Sequence, residues 1–226
     1  MNNLSQNQQA RLTGIFYLLV VITGIFSLMY VPSQTIVLGD ATQTVKNILE
    51  KKMLFRMGVV SSLLCYFFFF FVGWSAFALL RKVDEGASAI MLGLVLCSIP
   101  IAVYGVHNLT YILSLLFDSR YSISSSEELE YQVMSAILSY GRSLSITDLF
   151  WSSWLFPFGF LIYRSGFLPK FLGILLMIGS ITYFLHFFGK ILFPEVSIIN
   201  QLRVPARIAE IGTCLWLVIG GIKKSG

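Results

Sequence analysis

Six long apolar stretches, joined by connections mostly too short to form a domain of their own, constrain this 226-residue chain more than any motif does. They run over 12–31, 54–80, 87–117, 145–163, 168–188 and 205–222. A helix needs about 20 apolar residues to cross roughly 30 Å of hydrocarbon, where only helices and closed barrels satisfy their own backbone. The stretches therefore predict an all-α fold: a polytopic membrane bundle of six transmembrane helices forming one integral domain over 1–226. The third stretch is long enough to tilt or to protrude. Residues 1–10, rich in Asn and Gln, read as a mobile tail. A hydrophobic share of 56% against 12% charged residues excludes an ordinary soluble domain.

The first stretch exceeds a signal-peptide core and is followed by Pro32, Ser33 and Gln34 rather than a small-x-small cleavage pattern, so it reads as a retained span. A net charge of +5 would point to nucleic acid in a soluble protein. Here the basic residues cluster at span ends, and membrane lipids, not nucleic acid, are the expected partners. One side carries Arg11, Arg81, Lys82, Arg164, Lys170, Lys223 and Lys224 against only Asp84 and Glu85. Their density in very short segments predicts that both termini are cytoplasmic. Cys65, Cys97 and Cys214 all fall inside apolar stretches and match no metal ribbon or redox pair.

The short connections predict tight helical hairpins, with Gly166 suited to a helix C-terminus and Pro169 to a first helical turn. The two longer connections predict helices of their own, both candidates for the interface plane. One is capped by Asp40 and runs through Val45, Ile48 and Leu49 to Met53. The other starts at Ser124–Ser126 with Glu127, Glu128 and Glu130 favouring the helix dipole, and continues through Val133 and Ile137 into the fourth span.

Polar residues inside the spans are costly and recur at helical spacing. Tyr104, His107, Asn108 and Tyr111 share one face of the third span. Gly141, Ser145, Asp148 and Ser152 form a stripe on the fourth, Gly179, Tyr183, His186 and Lys190 on the fifth, and Arg203, Arg207, Glu210 and Cys214 on the sixth. Arg56 enters at the outer start of the second. Such faces are expected to turn inward and to form one polar pocket in the outer half of the bilayer. Arg56, Arg142, Lys190, Arg203 and Arg207 there outnumber Asp148 and Glu210, a balance suited to capturing a carboxylate or phosphate. Arg207 and Glu210, three residues apart, are expected to pair. The competing reading is that Arg56, Arg142, Lys190 and Arg203 snorkel to the headgroups. The candidate ligand-binding residues are thus Arg56, Tyr104, His107, Asn108, Tyr111, Asp148, His186, Arg203, Arg207 and Glu210.

His107 and His186 are the only histidines and could face each other as ligands to a metal or a b-type haem, although no His-x-x-x-His or Glu-x-x-His pair lies on one helix. No cofactor is assigned. No nucleophile elbow, phosphate loop or dinucleotide fingerprint occurs. The apolar inner halves disfavour a channel, a proton pump or a transporter.

The stretch FPFGFLIYRSGFLPKFLGILLMIG at 156–179, with RLTGIFYLLVVITGIFS at 11–27 and PARIAEIGTCLWLVIGG at 205–221, resembles a bacterial family of multi-pass membrane proteins known only as a domain of unknown function. The resemblance implies a bacterial inner-membrane protein of this size and brings no catalytic residues. A faint internal echo also runs through the chain. Leu92-Gly93 precedes Tyr104 and His107 as Leu172-Gly173 precedes Tyr183 and His186, which would fit two related hairpins. Three functions remain open on sequence: a binder of an anionic lipid or amphiphile, an intramembrane metal- or haem-dependent enzyme using His107 and His186, and a structural membrane subunit.

Overall fold

The computed structural model describes residues 4–120 and 125–222, so Ser124, Lys223 and Lys224 lie outside the described residues. All described elements are helical. In chain order they are α1 (Gln6–Ile25), a π-helical turn (Phe26–Tyr30), α2 (Val31–Thr35), α3 (Ala41–Glu50), α4 (Lys52–Leu80), α5 (Glu85–Phe117), α6 (Ser126–Ser165), α7 (Lys170–Leu192), a 3-10 segment (Ser197–Arg203), α8 (Val204–Leu215) and a second π turn (Trp216–Gly220).

Four of these runs, not six, are long and apolar enough by themselves to cross a membrane: Gln6–Thr35, Lys52–Leu80, Glu85–Phe117 and Lys170–Leu192. The other two expected spans depart for visible reasons. The fourth is the second half of α6, a 40-residue helix that carries Asp148 and Ser152 within the crossing length. The sixth is a 12-residue α8 that continues only through the π turn.

Local chemistry explains most helix ends. Residues 6–10, expected to be mobile, already belong to α1, and Ala10 is fully buried. The cause is a reciprocal cap. The Gln8 N–H donates to Ser5 Oγ at 3.3 Å and the Ser5 N–H donates to Gln8 Oε1 at 2.8 Å. Asp40 caps α3 as expected, its Oδ1 accepting from the Gln43 N–H at 2.8 Å, and Ser125 caps α6 through the Glu128 N–H at 3.2 Å. Gly166 adopts φ +74°, which lets α6 end and the chain turn into α7. Pro32 has no N–H to return to the carbonyl of Leu28, and its ring crowds that carbonyl. The preceding turn is accordingly π-helical, with the Val31 N–H reaching Phe26 O.

The contacts divide into two compact units. One comprises 4–19, Phe68–Ile99 and 145–222. Within it α6 and α7 cross at their glycines. A Cβ on Gly173 would come within 2.5 Å of Gly159 O, and one on Gly179 within 2.7 Å of Ala206 Cα on α8. Asp84 caps α5 through the Ala87 N–H and pairs with Arg164 at 3.2 Å, tying the 81–84 connection to the end of α6. The other unit comprises Val20–Phe67 and Pro100–Leu144. There Gly58 packs on Val31, Ser61 Oγ donates to Thr23 O at 3.0 Å, and Thr42 of α3 donates to Glu130 of α6 at 2.7 Å. The three cysteines are free, Cys65 and Cys214 buried and Cys97 exposed.

Candidate functional site

Asp148, His186, Lys190, Arg203, Arg207 and Glu210 of the first unit lie on α6, α7, α8 and the 3-10 segment. Asp148 of α6 is 7% exposed. Its Oδ1 accepts from Tyr183 Oη at 2.8 Å and from Arg203 Nη2 at 3.2 Å, and the same Nη2 donates to Tyr183 Oη at 2.7 Å. The three residues close a triangle linking α6, α7 and the start of α8. Arg203 also lies over the Tyr183 ring, its Cζ 4.9 Å from the ring centre. This stacking fixes the plane of the guanidinium as well as its position.

Close approach of the helices sets this geometry. Gly179 lets α7 meet Ala206, and one turn further along α7 Tyr183 comes into reach of both Asp148 and Arg203. The Ser180 hydroxyl donates to Ser152 O at 2.6 Å and locks α7 against α6 one turn from Asp148.

His186 follows Tyr183 by three residues on the same face of α7, with the two rings 6.1 Å apart. It is 2% exposed, and its Nδ1 has no hydrogen-bond partner among the described residues. The charges of Arg203, Lys190 and Arg207 all act on it, as they act on Asp148. Lys190 and Arg207 are themselves exposed and make no hydrogen bond or ion pair among the described residues.

Glu210 does not pair with Arg207. It accepts instead from Tyr17 Oη of α1 at 3.0 Å. Spacing of three along a helix permits the expected pair, but Arg207 stands on the exposed side of α8 while Glu210 turns toward α1. Tyr17 is held by an aromatic stack: its ring lies 6.0 Å from that of Trp154, which packs against Phe69 and Phe158.

Of the ten candidate residues, Asp148, His186, Arg203, Arg207 and Glu210 thus belong to this cluster. The other five belong to the second unit. Arg56 lies over the Phe117 ring at 5.1 Å, a ring it shares with Lys52. Tyr104 and His107 stack on each other at 6.3 Å on the exposed side of α5, not on its packed side. Tyr111 donates to Gln132 at 2.8 Å, and with Asn108 it lines a polar groove of about 200 Å³ against α6. The described residues hold no group of three His, Cys, Asp or Glu side chains arranged for a metal, and His107 and His186 fall in different units.

Tyr17 is not among the sequence candidates, because nothing local separates its hydroxyl from those of Thr13, Thr23, Ser27 and Tyr30 in the same apolar run. Tyr183, part of the α7 stripe, and Lys190, counted among the pocket's cations, are both absent from the ten candidates. A groove of about 290 Å³ between α6 and α7, lined by Phe156, Ile181, Phe184 and Leu185 with two serines, contains none of the ionisable groups. It is an apolar furrow separate from the cluster.

Fold and site define a class: an all-helical protein with apolar helices of membrane length and a cation-rich polar cluster on three of its helices. Residues 12–221 match the family described as a domain of unknown function, DUF4386, and the chain belongs to that family. No curated protein and no solved structure matches it.

Proposed function

We propose that this chain is a multi-pass protein of the bacterial inner membrane, crossing six times with both termini cytoplasmic, and that its Arg203 cluster binds the headgroup of an anionic lipid or amphiphile. One observation carries the binding reading. Arg203 is oriented by Asp148 and Tyr183 through a single nitrogen, Nη2, while Nε and Nη1 make no hydrogen bond among the described residues. Its side chain is 30% exposed. A guanidinium fixed in this way offers an oxyanion preoriented single donors at Nε and Nη1, with little further ordering entropy to lose. Lys190 and Arg207 add two unpaired cations beside it. Counting these with Arg203 against Asp148 and Glu210 leaves one positive charge in excess, which a monoanion balances.

The test is native mass spectrometry of the detergent-solubilised chain with dioleoylphosphatidylglycerol and, separately, oleate. Arg203→Ala should weaken retention of both by roughly tenfold, the loss expected for a charge-assisted pair. Lys46→Ala, which removes a cation from the exposed face of α3, should leave both unchanged. Undiminished retention by Arg203→Ala would mean that the cluster only joins helices, and the structural-subunit reading would replace this one.

A further inference from the structure

Resting on that reading, we infer that the oxyanion the cluster takes is a phosphate, and that His186 donates to it from Nδ1. Two observations separate this from general anion capture. The first is the spread of donors. A planar carboxylate is satisfied by one guanidinium fork, two parallel bonds to two oxygens. Here the donors without partners come from three elements: Nε and Nη1 of Arg203 on the 3-10 segment, Lys190 on α7 and Arg207 on α8. Donors arriving from several directions match a tetrahedral oxyanion better than a flat one.

The second is the buried imidazole. An unpaired polar atom inside a protein is destabilising and calls for an explanation. The His186 ring lies beside Tyr183, the residue on which Arg203 stacks, and it feels the charge of Arg203. With its proton on Nδ1, a neutral imidazole offers one hydrogen bond without adding charge. Lys190 and Arg207 are long, exposed and unbonded, so they can turn aside as the anion enters and close on it afterwards. The surplus of one positive charge fits a phosphodiester monoanion.

The experiment uses the full chain in detergent with three probes: dioleoylphosphatidylglycerol, oleate and sn-glycerol 3-phosphate. His186→Ala should weaken phosphatidylglycerol binding by roughly tenfold and leave oleate binding unchanged, which also shows that the variant is folded. His186→Asn, whose amide nitrogen sits near the Nδ1 position, should recover most of the loss. Equal weakening of both lipids, or none, in His186→Ala would overturn the phosphate contact while leaving the cluster reading intact. Failure of the cluster reading itself would show instead as unchanged binding in Arg203→Ala. If sn-glycerol 3-phosphate binds as tightly as phosphatidylglycerol and shows the same His186 dependence, the phosphate contact stands and the source is a free phosphate ester. If phosphatidylglycerol binding depends on His186 and sn-glycerol 3-phosphate does not bind, the contact stands and the source is a lipid headgroup.

Discussion

Asp148 is the residue whose removal most directly tests how the cluster is built. Asp148→Ala deletes two hydrogen bonds to a charged acceptor, one from Tyr183 at 2.8 Å and one from Arg203 at 3.2 Å. At about 1.5 kcal/mol each, the low end for bonds to charged groups, they sum to about 3 kcal/mol. Breaking a fully buried pair costs about 3–5 kcal/mol, because the surviving charge is stranded. Arg203 keeps 30% side-chain exposure and its bond to Tyr183, so water recovers part of that loss. The expected destabilisation is therefore about 2–3 kcal/mol. For a chain of this length each kcal/mol lowers Tm by about 2–4 °C, giving a drop of about 4–12 °C. Thermal unfolding in detergent, followed by tryptophan fluorescence, reads it. The double variant Asp148→Ala, Arg203→Ala should be less destabilised than the sum of its parts by about 1 kcal/mol or more, since neither charge is then left alone. Asp148→Asn should meanwhile tighten phosphatidylglycerol binding, because it releases Arg203 from its counter-ion. Strict additivity of the two alanine changes, or an unchanged Tm in Asp148→Ala, would refute the triangle as a unit.

Gly173→Ala should destabilise the chain by about 1–3 kcal/mol, because its Cβ would overlap the Gly159 carbonyl at the α6–α7 crossing. Gly93→Ala, with nothing within 4 Å, should stabilise α5 by about 0.5–1 kcal/mol, and the same unfolding assay compares the two. Tyr17→Phe removes the hydroxyl that bonds Glu210 and should cost about 1–3 kcal/mol, most of it recovered when Glu210→Gln is added, since a neutral amide is less costly to leave unpaired. Cysteines placed near Gln43 and Ser125 should be labelled from outside intact cells, and those near Glu85 and Ser165 should not; the reverse pattern would invert the topology. Asp118 is held at about 2 by the side-chain hydrogen bonds of Arg120. Its contribution is present above the ordinary carboxylate pKa of about 4 and is lost as pH falls through about 2. Arg120→Ala should raise the titration, followed by carboxyl NMR, toward the ordinary range, the backbone N–H of residue 120 keeping its bond to Asp118.

The helices and their ends were legible in the sequence because they depend on neighbours only a few residues away. The Asp40 cap needs only Gln43, the turn at Gly166 needs only a missing Cβ, and the start of α6 needs only Ser125 and the acids behind it. The capping box of Ser5 and Gln8 was equally local, and was hidden by the polar composition of the tail. Helical spacing also identified the polar stripes. It could not say what stands opposite them, because a period of 3.6 residues defines a face and not its partner. Tyr104 and His107 repeat the spacing of Tyr183 and His186, yet the first pair is exposed and the second buried. Gly93 and Gly173 occupy matching places in the same echo, and only Gly173 meets a neighbouring helix. Glu210 could have turned to Arg207, three residues before it, but takes Tyr17, 193 positions away. Such choices are made by how closely helices approach, which depends on side-chain volumes summed across several elements. That is why the chain alone determined which residues were polar and helical, while only the packed structure brought Asp148, Tyr183 and Arg203 into contact, with His186 beside Tyr183.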